Sequence, residues 1–325
     1  MKLATYQDGS RDGQLVVVSR DLSTAHYAAG IVNHLQQALD DWNFVSPQLQ
    51  DLYEALNQGK VRHAFPFDPE RCMAPLPRAY LWAQGTAYLN HARLLHSGAE
   101  LPEHRLQTPQ IQIGSSDPLW GACDSITLDD ESGEVDFAAG LAVIAGDVPR
   151  GTDAEQALES IRLVMLANTF TLQSNEQSVP FATTFSPVAV TLDELGEAWQ
   201  QGRLHLTLQS TWNGRKLGLC ETGPEMDFHF GQLIHQLCAL KPLHAGAIIG
   251  SGTVSNASVN DAQGRQHWPK GHQCIAEKRA VETLQDGQPN TGFMKVGDTL
   301  RIDMKDRLGQ SLFGTIDSRL DLIQR

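Results

Sequence analysis

The sequence is short of cysteine, of positive charge and of long apolar runs. Only five of its 325 residues are cysteine. They are widely spaced and form no Cys-x-x-Cys pair, which is typical of reduced thiols rather than of a disulfide framework. Lysine and arginine number 25 against 38 aspartates and glutamates, so the formal net charge is −13. A field of that sign disfavours binding to nucleic acid and to anionic membrane surfaces.

Two further absences concern location in the cell. No apolar run approaches the ~18 residues of a membrane-spanning helix, and the first residues, MKLATYQDGS, lack the apolar centre of a signal peptide. We therefore expect a cytoplasmic protein. The length favours two domains, and the break at Phe65-Pro-Phe-Asp-Pro69 predicts a small N-terminal domain at 1–74 and a larger one at 75–325.

The rest of the chain alternates helical and strand-like patterns. The plainest hairpin joins two alternating segments, 204–212 and 215–219, through Asn213-Gly214, a pair that favours a type I′ turn. Gly and Pro punctuation, capping residues and apolar spacing predict the other elements: a hairpin at 1–20 and helices at 24–40, 46–59, 87–95 and 228–240.

The stretch 135–169 reads as strand, tight turn, helix and strand. Residues 135–145 are apolar and rich in small and β-branched side chains, which is typical of a buried strand. Thr152 stands three residues before Glu155, the spacing of a capping box. Apolar residues from Ala154 to Met165 then recur at helical spacing, so we expect a helix over that range.

Several segments in this order resemble the fumarylacetoacetate hydrolase family, in particular its bacterial members: VDFAAGLAVIAGDVP, IRLVMLAN, FSPVAVTLDELGEAW, AIIGSGTVSN, CIAEKR and GDTLRIDMKDRLGQSLFGTID. The resemblance covers nearly the whole chain. It implies an α+β fold, a mixed β-roll or β-sandwich with peripheral helices and a small N-terminal domain. It also implies a homodimer that acts on a small organic acid.

The family holds Mg²⁺, Mn²⁺ or Ca²⁺ with four carboxylates, and the resemblance places this chain's residues at those positions. They are Pro118, Ala138, Gly140 and Thr169. A hard divalent cation needs several oxygen ligands, usually anionic ones, and none of these four is a carboxylate. We therefore expect no metal cofactor, or Mg²⁺ or Mn²⁺ if the true ligands lie elsewhere.

The resemblance also assigns a pocket. Glu277 matches a glutamate that, paired with a histidine, activates water in animal members, and Thr253 matches a threonine that contacts the substrate's carboxylate. The sequence offers no clear match for the histidine. Ser251, Gly252 and Ser255 surround Thr253 in a Gly-rich turn suited to anion binding, and two further positions complete the predicted pocket: Tyr80 and Val179, the latter standing where many members carry a lysine.

Two other ligand sets stay open. A shifted register would recruit Asp117 with Glu134 and Asp136 in place of the family's carboxylates. A zinc site would instead gather four residues near the end of the Gly-rich segment, although their spacing matches no standard zinc pattern: His267, His272, Cys274 and Glu277.

Two functions stay open after this comparison of residues. The favoured one is a protein that keeps the family fold without its metal site and binds a small keto-acid-like ligand, with no activity or with altered, metal-independent activity. The alternative is a metal-dependent hydrolase or decarboxylase of β-diketo or keto acids whose ligands are misplaced above. Missing metal and lysine remove the two main cationic groups, so Glu277 as a general base would supply only ~10²–10⁴-fold acceleration.

Overall fold

The computed structural model describes residues 1–96, 100–116, 118–130, 133–173 and 178–323. Its strands, in chain order, are β1 (Lys2–Tyr6), β2 (Gln14–Val18), β3 (Thr24–Tyr27), β4 (Phe65–Pro66), β5 (Leu81–Gly85), β6 (Ile111–Ile113), β7 (Leu119–Trp120), β8 (Ser125–Leu128), β9 (Glu134–Ala145), β10 (Ile161–Gln173), β11 (Ser178–Phe185), β12 (Ala189–Val190), β13 (Trp199–Gln200), β14 (Arg203–Leu204), β15 (Thr207–Trp212), β16 (Arg215–Glu221), β17 (Ala247–Gly250), β18 (Val259–Asn260), β19 (Gln266–His267), β20 (Thr299–Met304) and β21 (Ile316–Leu322).

The helices lie between these strands and are mostly short. They are α1 (Leu35–Asp40), α2 (Trp42–Asn57), α3 (Leu89–Leu95), α4 (Glu103–Gln107), α5 (Ala154–Leu158), α6 (Leu192–Leu195), α7 (Phe230–Cys238) and α8 (Ile275–Asp286). None of those in the described ranges is long and apolar enough to cross a membrane. Helices interspersed with mixed sheets confirm the predicted α+β class.

Most strands belong to one large mixed sheet. Its order is β4-β3-β2-β1-β12-β10-β9-β17-β5-β6, and β11 and β7 branch from β10. The long strands β9 and β10 pair antiparallel along almost their whole length. Strands β1 to β4 precede the boundary expected at residue 74, yet they continue the same sheet, because β1 pairs with β12.

A second sheet faces the first. Its order is β16-β15-β20-β21-β8, and β15 and β16 form the predicted hairpin. At its turn, Asn213 and Gly214 both have positive φ, +48° and +72°, as a type I′ turn requires. That prediction is confirmed.

The core explains why both faces of β9 are apolar. Phe137, Ala139 and Leu141 point into a cluster shared with the second sheet, while Ala142 and Ile144 point into a cluster shared with α1 and α2. A strand covered on both faces loses the alternation of a half-buried strand. The large sheet is therefore the middle layer, between the smaller sheet and the helices of the N-terminal region.

Two predicted helices are wrong. Residues 24–27 form β3 because they pair with β2, and only α1 remains of the helix expected at 24–40. The helix expected from Ala154 to Met165 ends at Leu158, and Ile161 begins β10, which is buried on both faces, so its continuous apolar run resembles a buried helix. The capping box is also wrong, because Asp153, not Thr152, caps α5 and accepts from the backbone of Gln156.

Candidate functional site

A histidine and a glutamate meet where α3 packs against α8. The Nδ1 atom of His91 lies 2.7 Å from Oε1 of Glu277. The Glu277 side chain is 1% exposed, whereas that of His91 is 24% exposed. No described residue hydrogen-bonds His91 Nε2, and about a quarter of the side chain is accessible.

Both members of the pair lie in the first turn of their helix, His91 in α3 and Glu277 in α8. Asp227 accepts from the backbone N–H of Leu89, the first residue of α3, at 2.7 Å. Glu277 lies in the first turn of α8, where the helix dipole favours negative charge. Both histidine and glutamate therefore stand on rigid elements rather than on loops.

Glu277 is ionised although it is buried. Burial by itself would raise its pKa, but the imidazoles of His272 and His91 and the hydroxyl of Ser255 outweigh it and lower the pKa of Glu277 to about 2. His272 Nδ1 lies 3.5 Å from Glu277 Oε2 and has no other partner among the described residues. The carboxylate thus lies between two imidazoles, each facing one of its oxygens.

Asp136 supports this arrangement from the large sheet. It accepts hydrogen bonds from the backbone N–H groups of Ile275 at 2.7 Å and Ala276 at 2.9 Å, the first two residues of α8. Burial raises the pKa of Asp136 to about 6 in spite of these bonds. In the shifted ligand register, Asp136 is therefore committed to the helix, Glu134 is exposed, and Asp117 lies outside the described residues.

The zinc hypothesis is only partly matched by the arrangement. His272 and Cys274 are buried beside Glu277, but His267 is exposed in the small hairpin of β18 and β19. Within the described ranges, the group with ligand atoms in mutual reach is His91, Cys274 and Glu277. Burial raises the pKa of the Cys274 thiol well above its ordinary value, which disfavours the thiolate that zinc binds.

Two of the four positions matched to the family's metal ligands line one cavity. Thr169 on β10 is paired directly with Ala138 on β9, and Thr169 and Pro118 both line a cavity of about 50 Å³. Gly140 lies two residues beyond Ala138 on the same face of the strand. A Cβ atom at Gly140 would lie 2.2 Å from the carbonyl oxygen of Gly252, so no side chain fits there.

The other predicted pocket residues separate into two groups. Ser255 lies beside the pair and accepts a hydrogen bond from Asn90 Nδ2 at 2.7 Å. Ser251 is fully buried, and its hydroxyl accepts from Leu141 N and donates to the carbonyl of Gly252, so it has a structural role. Thr253 is 7% exposed.

Tyr80 and Val179 lie at the surface. Tyr80 is 66% exposed and lines a separate depression with His34 and Asp12. Val179 is 49% exposed and precedes Pro180, which lines the cavity of Thr169. Of the two, only Val179 therefore stands near that cavity.

Comparison with known proteins agrees with this architecture. Residues 1–78 match the fumarylacetoacetase N-terminal domain 2, and residues 80–320 match the fumarylacetoacetate (FAA) hydrolase C-terminal family. The chain belongs to the fumarylacetoacetate hydrolase family. An uncharacterized protein of Pyrococcus abyssi (strain GE5 / Orsay) is 28% identical over 176 residues, which are 51% of this chain and 74% of that protein.

Solved structures share the fold over the whole chain. Maleylpyruvate hydrolase from Sphingobium sp. SYK-6, in complex with manganese (II) ion and pyruvate, has a TM-score of 0.67 and 15% identity, and covers 100% of both chains. A probable 2-hydroxyhepta-2,4-diene-1,7-dioate isomerase from Mycobacterium abscessus has a TM-score of 0.66 and 16% identity, and also covers 100% of both chains. These likenesses confirm the predicted fold.

The residues at the four matched positions do not fit a hard divalent cation. Thr169 offers one neutral hydroxyl, Ala138 and Pro118 offer no side-chain oxygen, and Gly140 has no room for a ligand. Mg²⁺ and Mn²⁺ bind through carboxylates and other anionic oxygens. Asp136, on the same face of β9, is already occupied by α8.

His91 is the member of this pair that the sequence did not identify. A helix at 87–95 is predicted and is close to the observed α3, but His91 lies 186 residues from Glu277. The histidines that lie near Glu277 in sequence are His267 and His272. Only the packing of α3 against α8 brings His91 to the carboxylate.

Proposed function

We propose that this protein binds a small 2-keto acid and performs general-base chemistry on it with His91 and Glu277, without the divalent metal of its family. The observation that carries this proposal is the 2.7 Å hydrogen bond between His91 and a glutamate that is 1% exposed. A buried, ionised carboxylate on one imidazole nitrogen is the arrangement that prepares the other nitrogen as a base.

The ionised state of Glu277 decides which nitrogen of His91 carries the proton. The ionised Glu277 can only accept a hydrogen bond, so Nδ1 of His91 carries the proton and Nε2 carries the lone pair. When Nε2 takes a proton from water or from the carbon beside a keto group, the negative carboxylate stabilises the imidazolium that forms. Ser255 and His272 keep Glu277 ionised through that step, because both lower its pKa.

In the proposed reaction, no metal ion stabilises the negative charge that develops on the enolate. General-base catalysis alone supplies ~10²–10⁴-fold acceleration, so we expect slow turnover compared with a metal-dependent enzyme. The Gly-rich turn at 251–255, with Thr253, is one proposed contact for the acid. The predicted homodimer and cytoplasmic location remain proposals, and light scattering would test the first by giving twice the mass of one chain.

The test is exchange of the methyl protons of pyruvate for deuterium, followed by proton NMR in D₂O with excess EDTA. We expect exchange above the buffer rate, and a fall of roughly 100-fold or more in His91→Asn and in Glu277→Gln, in line with the share of a general base. Ser178→Ala, a change at an exposed residue of β11, is the control and should leave the rate unchanged.

Other outcomes separate the alternatives. Exchange that appears only with added Mg²⁺ or Mn²⁺ would favour the metal-dependent hydrolase, for which the manganese and pyruvate complex of the Sphingobium enzyme is the relevant likeness. Pyruvate binding without exchange in either condition would contradict the catalytic proposal and favour a binding protein of the same fold.

A further inference from the structure

Three neutral side chains line the cavity that contains Thr169, one of the positions matched to the family's metal ligands. Gln84 on β5, Thr169 on β10 and Thr183 on β11 line the same cavity, and we call them the neutral cradle. Thr169 is 4% exposed and Thr183 is 6% exposed, so these hydroxyls are held inside the protein rather than displayed on a flexible surface.

The three side chains of the neutral cradle have fewer acceptors than hydrogens. The amide Nε2 of Gln84 donates to Thr169 Oγ1. Thr169 Oγ1 lies 3.3 Å from Thr183 Oγ1, and either hydroxyl can be the donor of that bond. Whichever of them donates, the hydrogen of the other hydroxyl and the second N–H of Gln84 have no acceptor among the described residues.

These two remaining hydrogens are donors beside a cavity. Its volume of about 50 Å³ exceeds the ~10–15 Å³ that one water molecule needs, so a small planar group such as a carboxylate has room. The described residues that line it include no acidic side chain. A site with donors, little exposure and no lining carboxylate favours an anion over a cation.

The strand β9 connects the neutral cradle to the pair formed by His91 and Glu277. Ala138 pairs with Thr169 across the sheet. Asp136, which holds the first turn of α8, precedes Ala138 by two residues on the same face, a distance of about 7 Å along a strand. Glu277 lies in that first turn of α8.

From these observations we infer that the neutral cradle binds the carboxylate of a small organic acid directly, in place of a metal ion. The inference rests on the proposed function for the identity of the acid, but its own content is the carboxylate subsite. Neutral hydrogen-bond donors hold a carboxylate less tightly than a metal cation holds it. We therefore expect a weak site that needs no metal and that loses affinity when a negatively charged residue is introduced into the neutral cradle.

The probe is pyruvate, titrated in EDTA and followed by ligand-observed NMR, with the neutral pyruvamide as a comparison ligand. Thr183→Val removes one of the two hydroxyls of the neutral cradle at nearly constant shape and should weaken pyruvate binding about tenfold or more, as expected for a hydrogen bond to a charged group. Gln84→Glu should weaken it at least as much. Thr171→Val makes the same change two residues along β10, outside the cavity lining, and should leave the affinity unchanged.

The results separate this inference from the proposed function. Weaker pyruvate binding in Thr183→Val and Gln84→Glu, with unchanged binding in His91→Asn, supports the subsite even if no exchange is seen. Equal affinity of the wild type and both variants overturns it, even if His91-dependent exchange persists. Wild-type protein that fails to bind pyruvate, or binds pyruvamide equally well, overturns it too, and circular dichroism of each variant excludes misfolding as the cause of lost binding.

Discussion

The ionised state of Glu277 makes a quantitative prediction about stability and pH. Its pKa falls from an ordinary value of 4.5 to about 2 in the folded protein. A difference of one pKa unit corresponds to about 1.36 kcal/mol, so the carboxylate contributes roughly 3 kcal/mol to the free energy of unfolding near neutral pH. Because the folded pKa is the lower one, this contribution is present above pH 4.5 and is lost as the pH falls toward 2.

The assay is urea unfolding of the wild type and of Glu277→Gln at several pH values between 3 and 7. The difference in unfolding free energy between the two proteins cancels the titration of groups that do not contact the Glu277 carboxylate, Asp136 among them, because these are present in both. What remains belongs to Glu277 together with the two imidazoles that contact it, His91 and His272. We expect this difference to fall by about 2 kcal/mol between pH 5.5 and pH 3. Glu134→Gln, at an exposed position of β9, is the control.

One result would refute the reasoning. If the difference between wild type and Glu277→Gln stayed the same from pH 7 to pH 3, then Glu277 would have an ordinary pKa. The two imidazoles would not be stabilising its charge, and the pair could not work as proposed. A control that reproduced the same pH dependence would instead show that any lost carboxylate gives this signal.

Three further predictions concern residues that support the site. For Asp136, the folded pKa of about 6 lies above the ordinary value of 3.8, so the sign is opposite. Urea unfolding should show the wild type losing roughly 2 kcal/mol relative to Asp136→Asn as the pH rises from 4 to 6.5, and the absence of such a loss would contradict the burial argument. His272→Gln should raise the folded-state pKa of Glu277, so that the Glu277-dependent loss of stability becomes smaller and is complete at a higher pH in the same assay; an unchanged profile would mean that His272 does not act on Glu277. Gly140→Ala should destabilise the protein by about 1–3 kcal/mol or more in thermal or urea unfolding, because its Cβ meets the Gly252 carbonyl; Gly292→Ala, which meets nothing within 4 Å, is the matched control, and equal effects would refute the clash.

Local signals in the sequence predict the elements whose structure is decided locally. Asn213 and Gly214 specify their turn by backbone conformation alone, and the hairpin around them is found as predicted. The strand β9 is also found, because its small and β-branched residues suit a buried strand. By contrast, residues 24–27 become a strand only through pairing with β2, which no local pattern contains.

The candidate site depends on contacts between distant parts of the chain, which is why the sequence reveals only half of it. Glu277 is recognised by its segment, CIAEKR, whereas His91 needs the packing of α3 on α8. Likewise, Gly140 reads in sequence as a missing ligand. The structure shows in addition that Gly140 lies close to the carbonyl of Gly252, so the backbone fills the space that a ligand side chain would need.

The two halves of the site are held by different parts of the fold, and this explains how one can be present without the other. The charge of Glu277 is stabilised by His91 from α3, by His272 and by Ser255, and none of these belongs to the paired strands β9 and β10. The positions without carboxylates, Ala138 and Thr169 among them, lie on those strands. Neutral residues there leave the hydrogen bonds of Glu277 intact, and the contact that links the two regions, Asp136 with the start of α8, needs no metal ion to form.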